Sequence, residues 1–272
     1  MSSTSGTARQ VEESTAFDIA VRAGLACYGA VHLMLGWLAL QLALGDHSGA
    51  ASQTGAMRQF ADESYGGPLL VVIGVGFYAL ALWQAMSALW GHRRESGAAR
   101  VGKRLVSAAR AILYVVLGTT AVGLATGSSS SGGSHVDHYT AEVMRWPAGP
   151  LIVGVVGLAI VGAGVALAVK GLRTAFTDDL ETTAVNGPAG TAVVWLGRVG
   201  YVAKGAAFGL VGALFVWAAA SFDPDKAGGL DVALRTLLAQ PGGPLILALI
   251  AFGLGAYGLY SLARARYGDT SA

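Results

Sequence analysis

The sequence predicts an all-α, polytopic membrane protein. Six transmembrane helices are expected, as three parallel two-helix repeats with pseudo-threefold symmetry. Three observations predict this. Of 272 residues, 54% are hydrophobic and only 12% charged, where a soluble domain carries about 25% charged residues. Six apolar stretches are each long enough to cross a hydrocarbon core of about 30 Å, which takes about 20 helical residues. Finally, a set of landmarks recurs three times along the chain at nearly fixed intervals.

Composition also excludes several classes. The charge deficit lies in both signs, 18 basic against 16 acidic residues for a net charge of +2. Such a chain cannot coat a soluble enzyme with charge, and it offers no basic surface for nucleic acid. A single cysteine rules out an internal disulfide framework and any multi-cysteine metal site. The 40 glycines and mean hydropathy of +0.56 suit closely packed membrane helices, where small residues let backbones approach.

In chain order, residues 1–19 read as a disordered, Ser/Thr-rich tail carrying Arg9, Glu12 and Glu13. The apolar run that follows is a full span, and lacks the short core and cleavage site of a signal peptide. The spans cover about 22–45, 68–90, 105–127, 148–170, 195–220 and 244–263. They are helices because lipid leaves an open backbone edge without a partner. Before the second, fourth and sixth spans stand mildly amphipathic stretches, Gln53–Phe60, Tyr139–Trp146 and Leu230–Leu238, expected as short helices in the interface. Tyr65 and Trp146 suit an aromatic belt, and the Ser/Gly-rich run Ser128–Ser134 suits a flexible linker.

Basic residues set the orientation. Fourteen of the 18 Lys and Arg fall in the N-terminal flank, the second and fourth connections with the span starts beyond them, and the C-terminus. The second connection alone holds Arg93, Arg94, Arg100, Lys103 and Arg104. The other three loops hold only Arg58, Arg145, Lys226 and Arg235. Both termini are expected in the cytoplasm and the protein in the cell membrane.

The repeats are 20–92, 103–175 and 195–268. Gly-Pro-Leu occurs at Gly67, Gly149 and Gly243, at intervals of 82 and 94. The odd spans share those intervals: Arg22, Arg104 and Arg198 open them, Gly29, Ala111 and Gly205 follow, then Gly36, Gly118 and Gly212. Each unit has an even number of spans, so all three point the same way. One helix of each repeat is expected inside the bundle. Proline suits the first turn of the returning helix, where its missing N–H has no helical partner to lose.

Three tandem two-span units, each with an Arg-led, glycine-rich first helix and a Gly-Pro-Leu second helix, resemble the actinobacterial membrane proteins of domain-of-unknown-function family 1206. The matching positions are Arg22, Gly24, Gly29 and Gly36 with their counterparts. The resemblance covers roughly 20–268 and implies a six-span integral membrane protein of no established activity. The second repeat departs most: Val106 stands where the outer repeats have Gly24 and Gly200, and Ala111 where they have Gly29 and Gly205, so looser packing is expected there.

Polar groups inside a span are functional candidates by default. Arg110 and Lys204 hold equivalent places, with Tyr28 as the third member, about 9 Å deeper than the repeat arginines at 1.5 Å per residue. Two readings stand open: side chains that snorkel to the cytoplasmic headgroups, or an anion or lipid-headgroup site between helices. His32, Tyr114 and Phe208 form a recurring aromatic-type position, a candidate ring on the axis. His32 has no intramembrane carboxylate for a relay and no second ligand for a metal, so packing is its plainer role. Gln84, Ser87, Thr119, Thr120, Tyr257 and Tyr260 suit interhelical hydrogen bonds, and Cys27 a small packing position. His135, Asp137 and His138 lack a preorganised frame for a metal. No metal, cofactor or catalytic pair is expected. Membrane lipids are the expected partners, with self-association or another membrane protein beside them. The expected role is a non-enzymatic structural or accessory component; the alternative is a small-solute or ion pathway along the pseudo-threefold axis.

Overall fold

The structure, a computed structural model, describes residues 15–91, 96–127, 140–180 and 190–267. Arg93, Arg94, Ser128–Ser134, His135, Asp137 and His138 lie outside the described residues. Among the described residues eight longer helices appear: α1 Thr15–Ala43, α2 Gln53–Ala61, α3 Gly66–Leu89, α4 Gly97–Ala125, α5 Gly149–Leu172, α6 Gly190–Ser221, α7 Leu230–Leu238 and α8 Gly243–Tyr267. Six of them, α1, α3, α4, α5, α6 and α8, are long and apolar enough to cross a membrane. No β-strand occurs among the described residues. Thr15–Ile19, placed in the tail from the sequence, are helical.

The connections inside the three repeats share one design. A short helix, α2, residues 140–144 or α7, precedes a tight turn, and the returning helix starts on a glycine. The Gly66 N–H donates to Glu63 O (2.8 Å), that of Gly149 to Trp146 O (2.9 Å) and that of Gly243 to Gln240 O (2.8 Å). A methyl on any of these glycines would run into the carbonyl of the preceding short helix: Phe60, Val143 or Leu237. The register differs from the Gly-Pro-Leu spacing. Gly66, not Gly67, is the counterpart of Gly149 and Gly243, so the second helices recur at 83 and 94. An extra residue in the first turn, Gly67, moves Pro68 one place further into its helix.

That register decides the packing. The closest helix pairs are not within hairpins but between them: α3 on α4, α5 on α6 and α8 on α1. Each second helix packs on the first helix of the next repeat, and the last repeat returns to the first. Gly36, Gly118 and Gly212 face Ala251/Gly255, Gly74 and Gly157, so equivalent residues meet in all three junctions. A methyl on Gly36 would stand 2.8 Å from Gly255 N, and one on Gly212 2.7 Å from Gly157 O. Such backbone approach gives dispersion contacts where no hydrophobic effect drives helix association. The guanidinium of Arg22 donates to the Arg266 carbonyl, tying the start of α1 to the end of α8.

Within hairpins the copies diverge. Gly24 lies on the Gly76 carbonyl between α1 and α3, and Gly200 on the Tyr257 backbone between α6 and α8. Val106, at the same place on α4, is 51% exposed, and α4 makes no comparable contact with α5. The second hairpin is therefore open. The expectation of one inner helix per repeat fails for the same reason: α4 and α5 are the least buried spans and stand at the rim. At the α3–α4 junction, Ala81 and Ala111 replace a glycine pair, and an apolar groove runs there between Tyr78, Leu82, Ile112 and Val115.

Candidate functional site

A buried lysine caged by tyrosines occupies the middle of the bundle. Lys204 lies 14 residues into α6, and its residue is 8% exposed. The Nζ donates to the Tyr28 hydroxyl of α1. It stands 4.8 Å from the Tyr28 ring centroid and 4.0 Å from that of Tyr257 on α8. Cation–π attraction is strongest at such desolvated sites, about 2 kcal/mol or more. No salt bridge reaches Lys204 from the described residues, so rings and a hydroxyl take the place of a carboxylate. The reading of Lys204 as a snorkelling anchor is therefore corrected. α6 packs on α5 and α8, and from there the side chain reaches an inner partner, Tyr28 of α1.

Around the lysine the rings interlock. Tyr28 meets Tyr114 of α4 edge-on at 5.6 Å, Tyr257 at 6.2 Å and Phe77 of α3 at 6.2 Å. Edge-to-face pairs at these distances add about 0.5–1.5 kcal/mol each beyond their buried area. His32 sits one turn above Tyr28, 4.2 Å from its ring and 5.0 Å from that of Tyr257. Its Nδ1 lies 2.9 Å from the Tyr28 carbonyl oxygen. A carbonyl only accepts, so Nδ1 carries the proton and Nε2 the lone pair.

Of the sequence candidates, the fold brings His32 and Tyr114 to Tyr28, but not Phe208. Phe208 is 36% exposed and turns to α5, its Cβ beside Gly164. The three equivalent ring positions therefore form no ring. Arg110 lies on the exposed side of α4 yet close enough to act electrostatically on Tyr28, Tyr114, Lys204 and Tyr257. Arg264 of α8 acts on Tyr114, Lys204 and Tyr257 from the same end of the bundle, and its guanidinium stands 5.7 Å from the Trp83 ring. Sequence reasoning missed Arg264 and Trp83. The available signal was the helix spacing, because Arg264 follows Tyr257 by seven residues on one face of α8.

The remaining polar residues mostly satisfy themselves. Thr119 and Thr120 donate to Val115 and Val116 carbonyls of their own helix (2.8–2.9 Å). Gln84 and Ser87 are buried. Tyr260 does bridge elements, its hydroxyl donating to Phe176 O at 3.2 Å. Cys27 is half-buried, its Sγ 3.8 Å from Val72 O.

The profile of the family described as Domain of Unknown Function (DUF1206) matches the chain three times, over residues 23–91, 105–174 and 199–268. A Bacillus subtilis (strain 168) protein named "Uncharacterized protein YxxB" is 29% identical over 247 residues, covering 90% of this chain and 89% of that protein. That relative comes from Bacillus, so the likeness is not confined to actinobacteria. No solved structure matches.

Proposed function

The chain belongs to the DUF1206 family, and on that premise we propose that it is a non-enzymatic accessory component of the cell membrane, with both termini in the cytoplasm. The filled interior supports this reading above all. Tyr28, His32, Phe77, Tyr114 and Tyr257 meet ring to ring at 4.2–6.2 Å, where a solute pathway needs a hydrated gap. The partition of basic residues supports the orientation. The open second hairpin supports the accessory role: α4 and α5 turn rows of large apolar side chains outward, Ile112, Val115 and Val116 on one and Leu151, Val155 and Leu158 on the other. Lipid covers that flank, with a second copy or another membrane protein as its further partners.

Reconstitution into sealed vesicles separates this from the pathway alternative. Vesicles carrying the protein are expected to hold potassium, chloride and proton gradients as long as empty ones. A protein-dependent leak of any of the three, reduced by His32→Ala or Tyr114→Ala, would establish the pathway instead.

A further inference from the structure

The α3–α4 junction differs from the other two in a way that leaves room for a ligand. Gly164 faces Gly205 between α5 and α6, and Gly258 faces Gly29 between α8 and α1, each with an added methyl within 2.9 Å of the opposite carbonyl oxygen. Ala81 and Ala111 hold these places between α3 and α4. Two methyls cannot meet at that distance, and the seam opens there as a groove of about 450 Å³, within the range of about 300–1,000 Å³ of small-ligand sites. Its walls are apolar apart from the Tyr78 phenol, and Leu82, Ile112 and Val116 leave it open to the surrounding lipid. A cation stands at one end. Arg104 precedes Ala111 by seven residues on the unbroken helix α4, about two turns and 10.5 Å toward the helix start on the same face. Its Nη2 donates to Gly91 O, just past the end of α3, at 3.4 Å, so the guanidinium sits in the same seam as the groove. Its buried Nε–H has no hydrogen-bond partner among the described residues. Buried donors are almost always paired in folded proteins, so this one lacks an acceptor that the protein does not itself supply.

We propose that the α3–α4 groove seats one acyl chain of an anionic phospholipid, with the lipid phosphate on Arg104. The occupant follows from shape and charge. A partner helix about 10 Å across would fill the groove's volume with a single turn, whereas a hydrocarbon chain runs along it. The Nε–Nη edge of a guanidinium binds phosphate through paired N–H bonds, and a phospholipid joins such a phosphate to an apolar chain. Arg104 lies toward the membrane surface from the groove, where a headgroup stands when its chain enters the bilayer. The glycine pairs close the same place at the other two junctions, so the site belongs to this seam alone. This goes beyond the accessory role and does not depend on it.

The full chain, reconstituted in neutral lipid, would be given a trace of phosphatidylglycerol carrying a photoreactive diazirine on one acyl chain, or phosphatidylcholine with the same chain. Adducts are mapped by peptide mass spectrometry. Phosphatidylglycerol adducts are expected to concentrate on residues 78–85 and 111–116, with the phosphatidylcholine probe labelling them far less. Arg104→Gln is expected to lower the phosphatidylglycerol yield there about 10-fold or more, the scale of one lost charge-assisted hydrogen bond, and to leave the phosphatidylcholine yield unchanged. Ala111→Leu fills the groove and is expected to remove the adducts of both probes at these residues while those on α5 persist. If Arg104→Gln does not fold, the wild-type headgroup preference and Ala111→Leu decide. The proposal is overturned if adducts spread evenly over the lipid-facing helices, or if both probes label the groove equally. It is also overturned if folded Arg104→Gln labels as wild type does, or if a second copy of the chain covers the groove and excludes both probes.

Discussion

Gly205→Ala should destabilise the bundle, while Gly209→Ala, one turn along the same helix, should not. A methyl on Gly205 would stand 2.5 Å from the Gly164 carbonyl oxygen, 2.8 Å from Ala168 N and 3.0 Å from Ala168 Cβ. Ordinary contact begins near 3.4 Å, so α5 must retreat by about 0.9 Å, and a gap of about 0.5–1 Å forfeits a quarter to a half of each dispersion well along the seam. Overpacking of this kind costs about 1–3 kcal/mol, a roughly 5- to 150-fold fall in the folded-to-unfolded ratio at RT of about 0.6 kcal/mol. Gly209 has nothing within 4 Å of its added methyl, and gains up to about 1 kcal/mol of helix propensity. Unfolding midpoints in mixed detergent micelles measure both variants. Equal midpoints, or a less stable Gly209→Ala, would show that α5 and α6 are not packed backbone to backbone at this glycine.

Three further outcomes follow from the geometry. Asp231 Oδ1 accepts from the Ala51 N–H at 2.7 Å and its Oδ2 binds Arg235 at 2.8 Å, so α7 of the third repeat holds the loop after α1. Asp231→Ala leaves the buried Ala51 N–H unpaired, a cost of about 1–3 kcal/mol, which hydrogen exchange at Ala51 reads as faster opening. In that same loop the Ser48 N–H donates to Asp46 Oδ1 (2.9 Å) and holds its carboxyl below the usual aspartate range. The bond therefore persists at neutral pH and is lost only as the pH falls through that lowered value; an NMR titration should find the midpoint below that of free aspartate, and Ser48→Pro should restore it. Finally, Lys204→Met keeps the length of the side chain but removes the charge. Tyr28 and Tyr257 then lose their shared cation, and tyrosine ultraviolet-resonance spectra of the buried rings should change while helix content does not.

Much of the architecture is legible from the residues. Span length against bilayer thickness gives six helices, and the alignment of Arg22, Arg104 and Arg198 gives three units. Leu230 to Leu238 is helical as its amphipathic pattern indicates. What sequence spacing hid was the partner of each glycine. Gly24 and Gly36 are alike in composition, yet one serves a hairpin and the other a junction, because a difference of 12 residues rotates them by about 120° around a helix of 3.6 residues per turn. The single-residue insertion at Gly67 hid the true register of the second helices. At the candidate site, Tyr28, Arg110 and Lys204 were visible as one repeated position. Their different fates were not, because the failure of α4 to meet α5 leaves Arg110 at the rim while Lys204 is enclosed. Phe208 stays out of the cage because its face of α6 borders the junction with α5, its Cβ beside Gly164.

The third repeat closes onto the first, α8 against α1, so the start of α1 and the end of α8 meet. In a Cys27→Ala background, Arg22→Cys and Arg266→Cys treated with a short bismaleimide measures this directly. Rapid cross-linking within one chain is expected, at a rate independent of protein concentration, with reagent added at a single side of sealed vesicles. Failure to link, or links that form only between chains, would contradict it.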